Sequence, residues 1–254
     1  MKNEERRRFI IDQLEQNNVV NVHDVAERFH VSQMTIRRDL AELEALGCLI
    51  RKYGGAVKSE MLSGLFSFSR RAEQKKEQKE SICREASRFL SDNETIFIDC
   101  GTTLFRMCQY IAKRRNIRVI TNSLPVVSEL INYSNVRVNM IGGDVDNSRK
   151  AVYGLFAEKI IAEYHADKAF VGSDGISLAN GLSSFDEKEA RITLKMIENS
   201  DQVFLLCDSS KIEKDSFFRL APVSVVHHLI TDRGVGPDTL IQYRDAGVDV
   251  LTSS

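Results

Sequence analysis

Five short clusters of small, hydroxylated or charged residues, each directly behind an apolar run, have the chemistry of an anion site. "TIFID" leads into Asp99, Gly101, Thr102 and Thr103, and "IRVIT" into Asn122 and Ser123. "VRVNMI" leads into Gly142, Gly143 and Asp144, "KAFVGS" into Asp174 and Gly175, and "QVFLLC" into Asp208, Ser209, Ser210 and Lys211. Gly101 lets the backbone approach a ligand, while hydroxyls and amides at a helix start, where the dipole is positive, favour a phosphate. Lys211 adds a point charge. Asp99, Asp174, Glu189 and Asp208 are also carboxylates of the kind used in acid and base catalysis, but chain spacing alone does not bring them together.

A second chemistry lies nearer the start. In "SQMTIRRDLAELEAL", Ser32 is placed to cap a helix, and Ile36, Leu40, Leu43 and Leu46 follow at i, i+4, i+7 spacing. That stripe turns Met34, Arg37 and Arg38 outward, and Thr35 sits near the helix start with Ser32 and Gln33. A capped helix that buries its leucines and presents arginines is suited to a major groove, where they reach guanine edges or phosphates. Gly47 ends the helix, and "CLIRKYGGAV" reads as a hairpin bent at Gly54-Gly55, with Arg51 and Lys52 available for DNA phosphates.

Both sets of residues need elements to hold them. Glu4 to Gln16 carries Ile10, Ile11 and Leu14 at helical spacing, "NNVVNV" is a β-prone step, and "HDVAERFHV" forms a short helix through Val25, Ala26 and Phe29. Short helices closed by a hairpin predict a winged helix-turn-helix over residues 1–58 that binds double-stranded DNA. Residues 59–73 are polar and read as a linker, passing into a charged helix that becomes amphipathic through Ile82, Ala86, Phe89 and Leu90. Over 74–254, the five runs above and "VVHHLIT" alternate with helical stretches at Leu104 to Arg114, Ser123 to Asn132, Leu155 to Tyr164 and Asp186 to Asn199. This alternation predicts an α/β, Rossmann-like domain with a mostly parallel sheet. Ligands of such folds bind past the carboxyl ends of the strands, where the polar clusters fall.

The bulk composition removes other classes. A 254-residue chain with 43% hydrophobic and 28% charged residues is that of a globular protein, and a net charge of −1 provides no global field for a polyanion. Any DNA contact must rest on local clusters. The five cysteines form no CxxC pair and no zinc-ligand spacing, and the scattered histidines include a His227-His228 pair in an apolar run that reads as half-core. No metal ion and no cofactor is expected. Neither GxxxxGK[ST], GxGxxG nor GxSxG occurs, which disfavours nucleotide sites and a hydrolase elbow. The charged start is unlike a signal peptide and no apolar run is long enough for a membrane span, so the expected location is the cytoplasm.

The segment "SQMTIRRDLAELEALGCLIRKYGGA", Ser32 to Ala56, resembles the signature of DeoR-type transcriptional regulators, with its T-x-RRDL core and GGA wing. "IFIDCGTT", "VITNS", "IGGD", "FVGSDGI", "GLSSFDEKEARITLKMI" and "LLCDSSK" follow in that family's order, so the resemblance spans nearly the whole chain. It implies that Thr35, Arg37 and Arg38 belong to the DNA-reading helix. It further implies that Asp99, Gly101, Thr102, Thr103, Asn122, Gly143, Asp208 and Lys211 line an effector pocket, to which the strand-end reading adds Asp174 and the candidate carboxylates add Glu189. Members are mostly oligomeric repressors of carbohydrate-use operons, released by a phosphorylated sugar, with an effector domain similar in fold to ribose-phosphate isomerases and CoA transferases. The same cleft also suits a sugar-phosphate isomerase or CoA-transferase-like enzyme carrying an accessory N-terminal domain.

Overall fold

The computed structural model describes residues 2–45, 49–58, 68 and 71–253, and the chain divides into two compact units, Met1–Phe68 and Ser69–Ser254. The predicted helix end at Leu46 and Gly47 lies outside the described residues, as does most of the predicted linker.

The first unit runs α1 (Lys2–Asn17), β1 (Val19–Asn21), α2 (Val22–Phe29), α3 (Gln33–Ala45), β2 (Leu49–Lys52) and β3 (Gly55–Lys58). Asn18, in the left-handed conformation that asparagine tolerates, ends α1, and the Asn21 side chain caps α2 by accepting from the His23 amide at 2.8 Å. Ile10, Leu14, Val25, Ile36, Leu40 and Leu43 meet in one buried cluster, so the helical stripes read from the sequence face one another. The strands form an antiparallel sheet in the order β1-β3-β2. Its turn is not the predicted Gly54-Gly55 bend, because it falls at Tyr53 and Gly54, with φ +79° at Gly54. Gly55 is already in β3, where the backbone of β1 lies so near that a Cβ would stand 2.0 Å from the Val20 carbonyl oxygen.

The second unit begins with α4 (Lys76–Ala86) and β4 (Thr95–Ile98), followed by α5 (Cys108–Ile111), β5 (Ile117–Thr121), α6 (Leu124–Leu130) and β6 (Val136–Met140). A hairpin of β7 (Asp144–Asp146) and β8 (Ala151–Tyr153) leads to α7 (Leu155–Ala162) and β9 (Ala166–Val171). Then come β10 (Gly175–Ser177), β11 (Gly181–Ser184), α8 (Glu187–Glu198), β12 (Ser200–Leu206), β13 (Phe218–Ala221), β14 (His228–Thr231), α9 (Pro237–Asp245) and β15 (Asp249–Thr252). Seven strands make a parallel sheet in the order β15-β14-β12-β9-β4-β5-β6. The six predicted strands are all in it. The seventh, β15, is an edge strand of four residues with only Val250 buried, too short and too polar to announce itself.

Alternate residues of each strand serve opposite faces: Ile96 and Ile98 pack with α4 and α6, whereas Phe97 packs with α7 and α8. The helix expected from Leu104 to Arg114 is instead a 3-10 turn (Leu104–Met107) followed by the single turn of α5. The tighter turn stacks Leu104 over Met107, both buried on the α4 face. Strand order reverses at β4, whose successor β5 lies on one side and whose later neighbour β9 lies on the other. That reversal opens a crevice at the strand ends.

Candidate functional site

In the first unit the N-terminal part of α3 is an exposed polar face. Ser32 Oγ accepts from the Thr35 amide at 3.2 Å and lies 3.0 Å from the Thr35 hydroxyl, so Thr35 is half-buried and tied to the cap. Gln33, Arg37 and Arg38 are exposed beside Met34, which is 71% exposed. The next residue of the RRDL run points the other way: Asp39 is buried and accepts from Arg6 Nε at 2.5 Å and Arg7 Nε at 3.2 Å. Arg7 also pairs with Glu42. Asp39 therefore pins α1 to α3 through Arg6 and Arg7, while Arg37 and Arg38 face solvent. On the wing, Lys52 is exposed, but Arg51 is committed to α3, its Nε 2.5 Å from Glu44 Oε2 and its amide 2.9 Å from Glu44 Oε1. Exposed pairs of this kind are weak, so Arg51 can leave Glu44 for a phosphate.

In the second unit a cavity of about 540 Å³ lies over the ends of β4, β9 and β12, astride the reversal. Gly101, Thr102 and Thr103 border it from β4, Ser173 and Asp174 from β9, and Asp208, Ser210 and Lys211 from β12. Asp208 accepts from the Ser210 amide at 3.1 Å and from Lys75 Nζ at 2.5 Å. Lys211 Nζ donates to the Ser173 carbonyl at 2.5 Å, linking two strand ends across the crevice. Elsewhere in the same cavity, Arg149 Nη2 lies 2.8 Å from Glu189 Oε2 and 3.6 Å from Asp174 Oδ2. The turn between β7 and β8 aims Arg149, since Asp146 Oδ1 accepts from the Ser148 and Arg149 amides at 2.7 and 2.8 Å.

Burial and neighbouring charge set the protonation states. Burial pushes the Glu189 carboxyl up to about 7 despite Arg149, and pushes the Asp99 carboxyl up to about 6. Burial by itself would raise Asp208 too, but the hydrogen bonds from Lys75 and Ser210 and the charges of Lys75 and Lys211 hold it below its ordinary value. Lys79 is brought down to about 8, first by burial and then by Lys211. Arg71, Lys75, Lys79, Arg149 and Lys211 against Asp174, Glu189 and Asp208 leave the lining with two more cations than anions.

Of the residues assigned to an effector pocket, Gly101, Thr102, Thr103, Asp174, Glu189, Asp208 and Lys211 line this cavity, and Asp99, Asn122 and Gly143 do not. Asp99 points beneath the floor, where it accepts from Thr193 Oγ1 at 2.9 Å and the Cys100 amide at 2.7 Å. Asn122 is wholly buried and clasps the end of β5 to β8, donating to the Val152 carbonyl at 3.2 Å. Gly143 follows edge strand β6, two strands away from β4, and a Cβ there would stand 2.5 Å from the Tyr153 carbonyl oxygen. Arg71, Lys75, Lys79 and Arg149 were not among the sequence candidates, because the first three sit in a charged stretch that reads as linker and solvated helix. Their only signal was the density of cations in "SRRAEQKKEQK".

His227 and His228 are separate in role: His227 Nδ1 accepts from the Val203 amide at 3.1 Å, and His228 stacks on Phe204 at 4.4 Å. Among the described residues no His, Cys, Asp or Glu group is arranged to hold a metal ion, and no helix is long and apolar enough to cross a membrane.

Residues 6–61 match the DeoR-like helix-turn-helix domain and residues 74–233 match the DeoR C terminal sensor domain. The chain is 32% identical over 233 residues to the HTH-type transcriptional repressor GlcR of Bacillus subtilis (strain 168), covering 92% of this chain and 90% of that protein. It is 31% identical over 232 residues to the glycerol-3-phosphate regulon repressor of Escherichia coli (strain K12), covering 91% and 92%. Among solved structures, ribose 5-phosphate isomerase A from Methanocaldococcus jannaschii aligns at 17% identity with a TM-score of 0.41, over 55% of this chain and 56% of that one. The chain spans about half the length of ribose 5-phosphate isomerase from Plasmodium falciparum, at 16% identity and a TM-score of 0.39. An exposed basic helix with its wing in one unit, a strand-end cavity in the other, and family matches over both place this chain in the DeoR family of transcriptional regulators.

Proposed function

We propose that the protein represses a sugar-utilisation operon by binding operator DNA through α3 and the wing, and that a phosphorylated sugar in the strand-end cavity relieves the repression. The observation that carries the effector class is the charge of the cavity: two more cations than anions, beside the Gly101–Thr103 turn at the head of a helical segment. A phosphate monoester near neutral pH brings close to two negative charges, and it makes short, charge-assisted bonds to lysine and backbone amides. The cavity volume is ordinary for a small-molecule site. Binding without turnover is favoured because each carboxylate of the lining is engaged by a cation, Asp174 and Glu189 by Arg149 and Asp208 by Lys75. A general base must instead stand ready at the reacting carbon.

Asp99, Asn122 and Gly143 belong to the frame of that pocket, and Ser32, Gln33, Thr35, Arg37, Arg38, Arg51 and Lys52 to the DNA contact. A reading head of this size covers one half-site, so the working form is a homo-oligomer, at least a dimer, acting in the cytoplasm. Ligand binding shifts the population away from the operator-competent form in proportion to its preference for the other.

Thermal unfolding against a panel of phosphorylated and unphosphorylated sugars tests the reading. A true effector at about 100 times its dissociation constant stabilises by roughly 2.7 kcal/mol and lowers operator affinity in the same buffer. A panel that leaves both measurements unchanged refutes the phosphosugar effector, and conversion of any member to product refutes the sensor role.

A further inference from the structure

The face of α3 that points away from the core is not uniformly polar. With Ile36 taken as the core direction, a rotation of about 100° per residue puts Met34 at roughly 160°, Arg38 at roughly 200° and Arg37 at roughly 100°. Met34 and Arg38 thus flank the outermost line of the helix. Met34 is 71% exposed, whereas Ile36, Leu40 and Leu43 of the same helix are buried. Two polar neighbours are drawn away from that line: Thr35 is half-buried with its hydroxyl 3.0 Å from that of Ser32, and Asp39 is buried against Arg6 and Arg7. Core packing gives no reason for an apolar side chain in the middle of this face.

A base edge does. Met34 is the second residue of α3, one turn ahead of Arg37 and Arg38, in the part of a recognition helix that meets the floor of the major groove. That floor is a pattern of hydrogen-bond donors and acceptors with one apolar feature, the 5-methyl group of thymine. A methionine side chain has no donor and only a weak acceptor, so against any other edge it would strip water from a polar group and return no bond. Against a methyl group, its flexible and polarisable chain makes close apolar contact.

We propose that Met34 is a specificity-determining residue of the DNA contact, reading one thymine in each half-site through its 5-methyl group, between the guanine or phosphate contacts of Arg37 and Arg38. Discrimination at that base pair comes from burial of a methyl group and not from a hydrogen bond. This rests on the assignment of α3 to DNA, and it adds which base one of its side chains selects.

The test uses the full chain and a duplex that it selects from a random pool. Each thymine of that duplex is replaced in turn by deoxyuridine, which removes the methyl group and keeps the pairing and the hydrogen-bonding edge. For the wild type, one replacement in each half-site is expected to weaken binding by about fourfold, the factor that burial of one methyl group supplies. Met34→Ala loses at least that factor on the thymine duplex and binds the thymine and deoxyuridine duplexes equally, so the two changes are not additive. Met34→Leu keeps the preference for thymine. Because Met34 is exposed, none of these variants disturbs the core. If no deoxyuridine replacement weakens the wild type, or if every replacement costs Met34→Ala the same factor as the wild type, this inference falls and the DNA reading stands. A wild type that selects no sequence from the pool, or Arg38→Ala binding the selected duplex as well as the wild type does, overturns the assignment of α3 with it.

Discussion

The reading head and the sensor domain hold their functional residues in place by different means. In the head, eleven buried apolar residues among those described form one cluster under all three helices and the wing, and the face proposed for DNA is the solvent side of a helix whose other side is that cluster. In the sensor, two larger clusters cover both faces of a seven-stranded sheet, and the cavity sits at the rim where neither reaches. A small core leaves the head near the margin of stability, whereas the sensor has apolar area in excess of what its site needs. The proposed DNA contacts of the head thus lie mainly on one helix and its wing, and the cavity of the sensor is surrounded by several strand ends.

That contrast breaks first under core deletion. Leu40→Ala, at a fully buried position of α3, is expected to cost about 3 kcal/mol and to unfold the head while the sensor keeps its own transition. Leu205→Ala in the sheet loses a similar amount from a larger reserve and should leave that domain folded at 25 °C. Calorimetry with the two transitions resolved decides the matter, and equal melting of both units would erase the distinction.

Surface truncation is the next largest effect. Arg38→Ala should weaken operator binding by about 2 kcal/mol, as expected for a lost base-edge or phosphate contact, and leave sugar-phosphate stabilisation of the sensor untouched. Normal operator affinity in a gel-shift titration would remove Arg38 from the reading face.

Acid titration sharpens the comparison from the sensor side. Glu189 has its folded value raised to about 7 above an ordinary 4.5, so between those values the folded state binds the extra proton. Stability from this group is therefore greatest below about 4.5 and falls as pH rises towards 7. Asp99 acts in the same sense up to about 6, while Asp208, held low, loses stability as pH falls instead. Glu189→Gln should flatten the decline between pH 5 and 7 by roughly 1–2 kcal/mol in urea titrations of the sensor transition, with no change in that of the head. An unaltered slope would show that Arg149 holds Glu189 ionised throughout.

The smallest effect is a local one. Ser32→Ala removes the acceptor of the Thr35 amide and should cost the head about 1 kcal/mol, lowering its melting temperature by a few degrees. The change in operator affinity should follow that stability loss, and an affinity loss far beyond it would make Ser32 a DNA contact in its own right.

How far each site was legible follows from the same contrast. Arg37 and Arg38 are exposed as the sequence predicts, because helical period alone puts them opposite Ile36, Leu40 and Leu43. Gly101, Thr102, Thr103, Asp208 and Lys211 line the cavity because they follow strands β4 and β12, whose ends border the crevice. Asp99, Asn122 and Gly143 look identical in type to those residues, but Asp99 turns beneath the floor, Asn122 clasps β8, and Gly143 follows an edge strand beyond β5. Arg71, Lys75 and Lys79 had the reverse problem, being surface-like in composition and brought to the cavity only by partners such as Ser148, Asp208 and Thr102.

By itself the sequence determined the winged head, the alternation of strands and helices, and the polarity of every strand end, because these depend on periods of two and 3.6 residues and on local turn chemistry. Only the tertiary structure decided which strand ends share a crevice and that Asp39 faces Arg6 and Arg7. It also decided that a charged segment running into the first turn of α4 supplies three of the five cations around the cavity. Strand order, which sets who neighbours whom, comes from packing of helices on both faces of a sheet, and no local period records it.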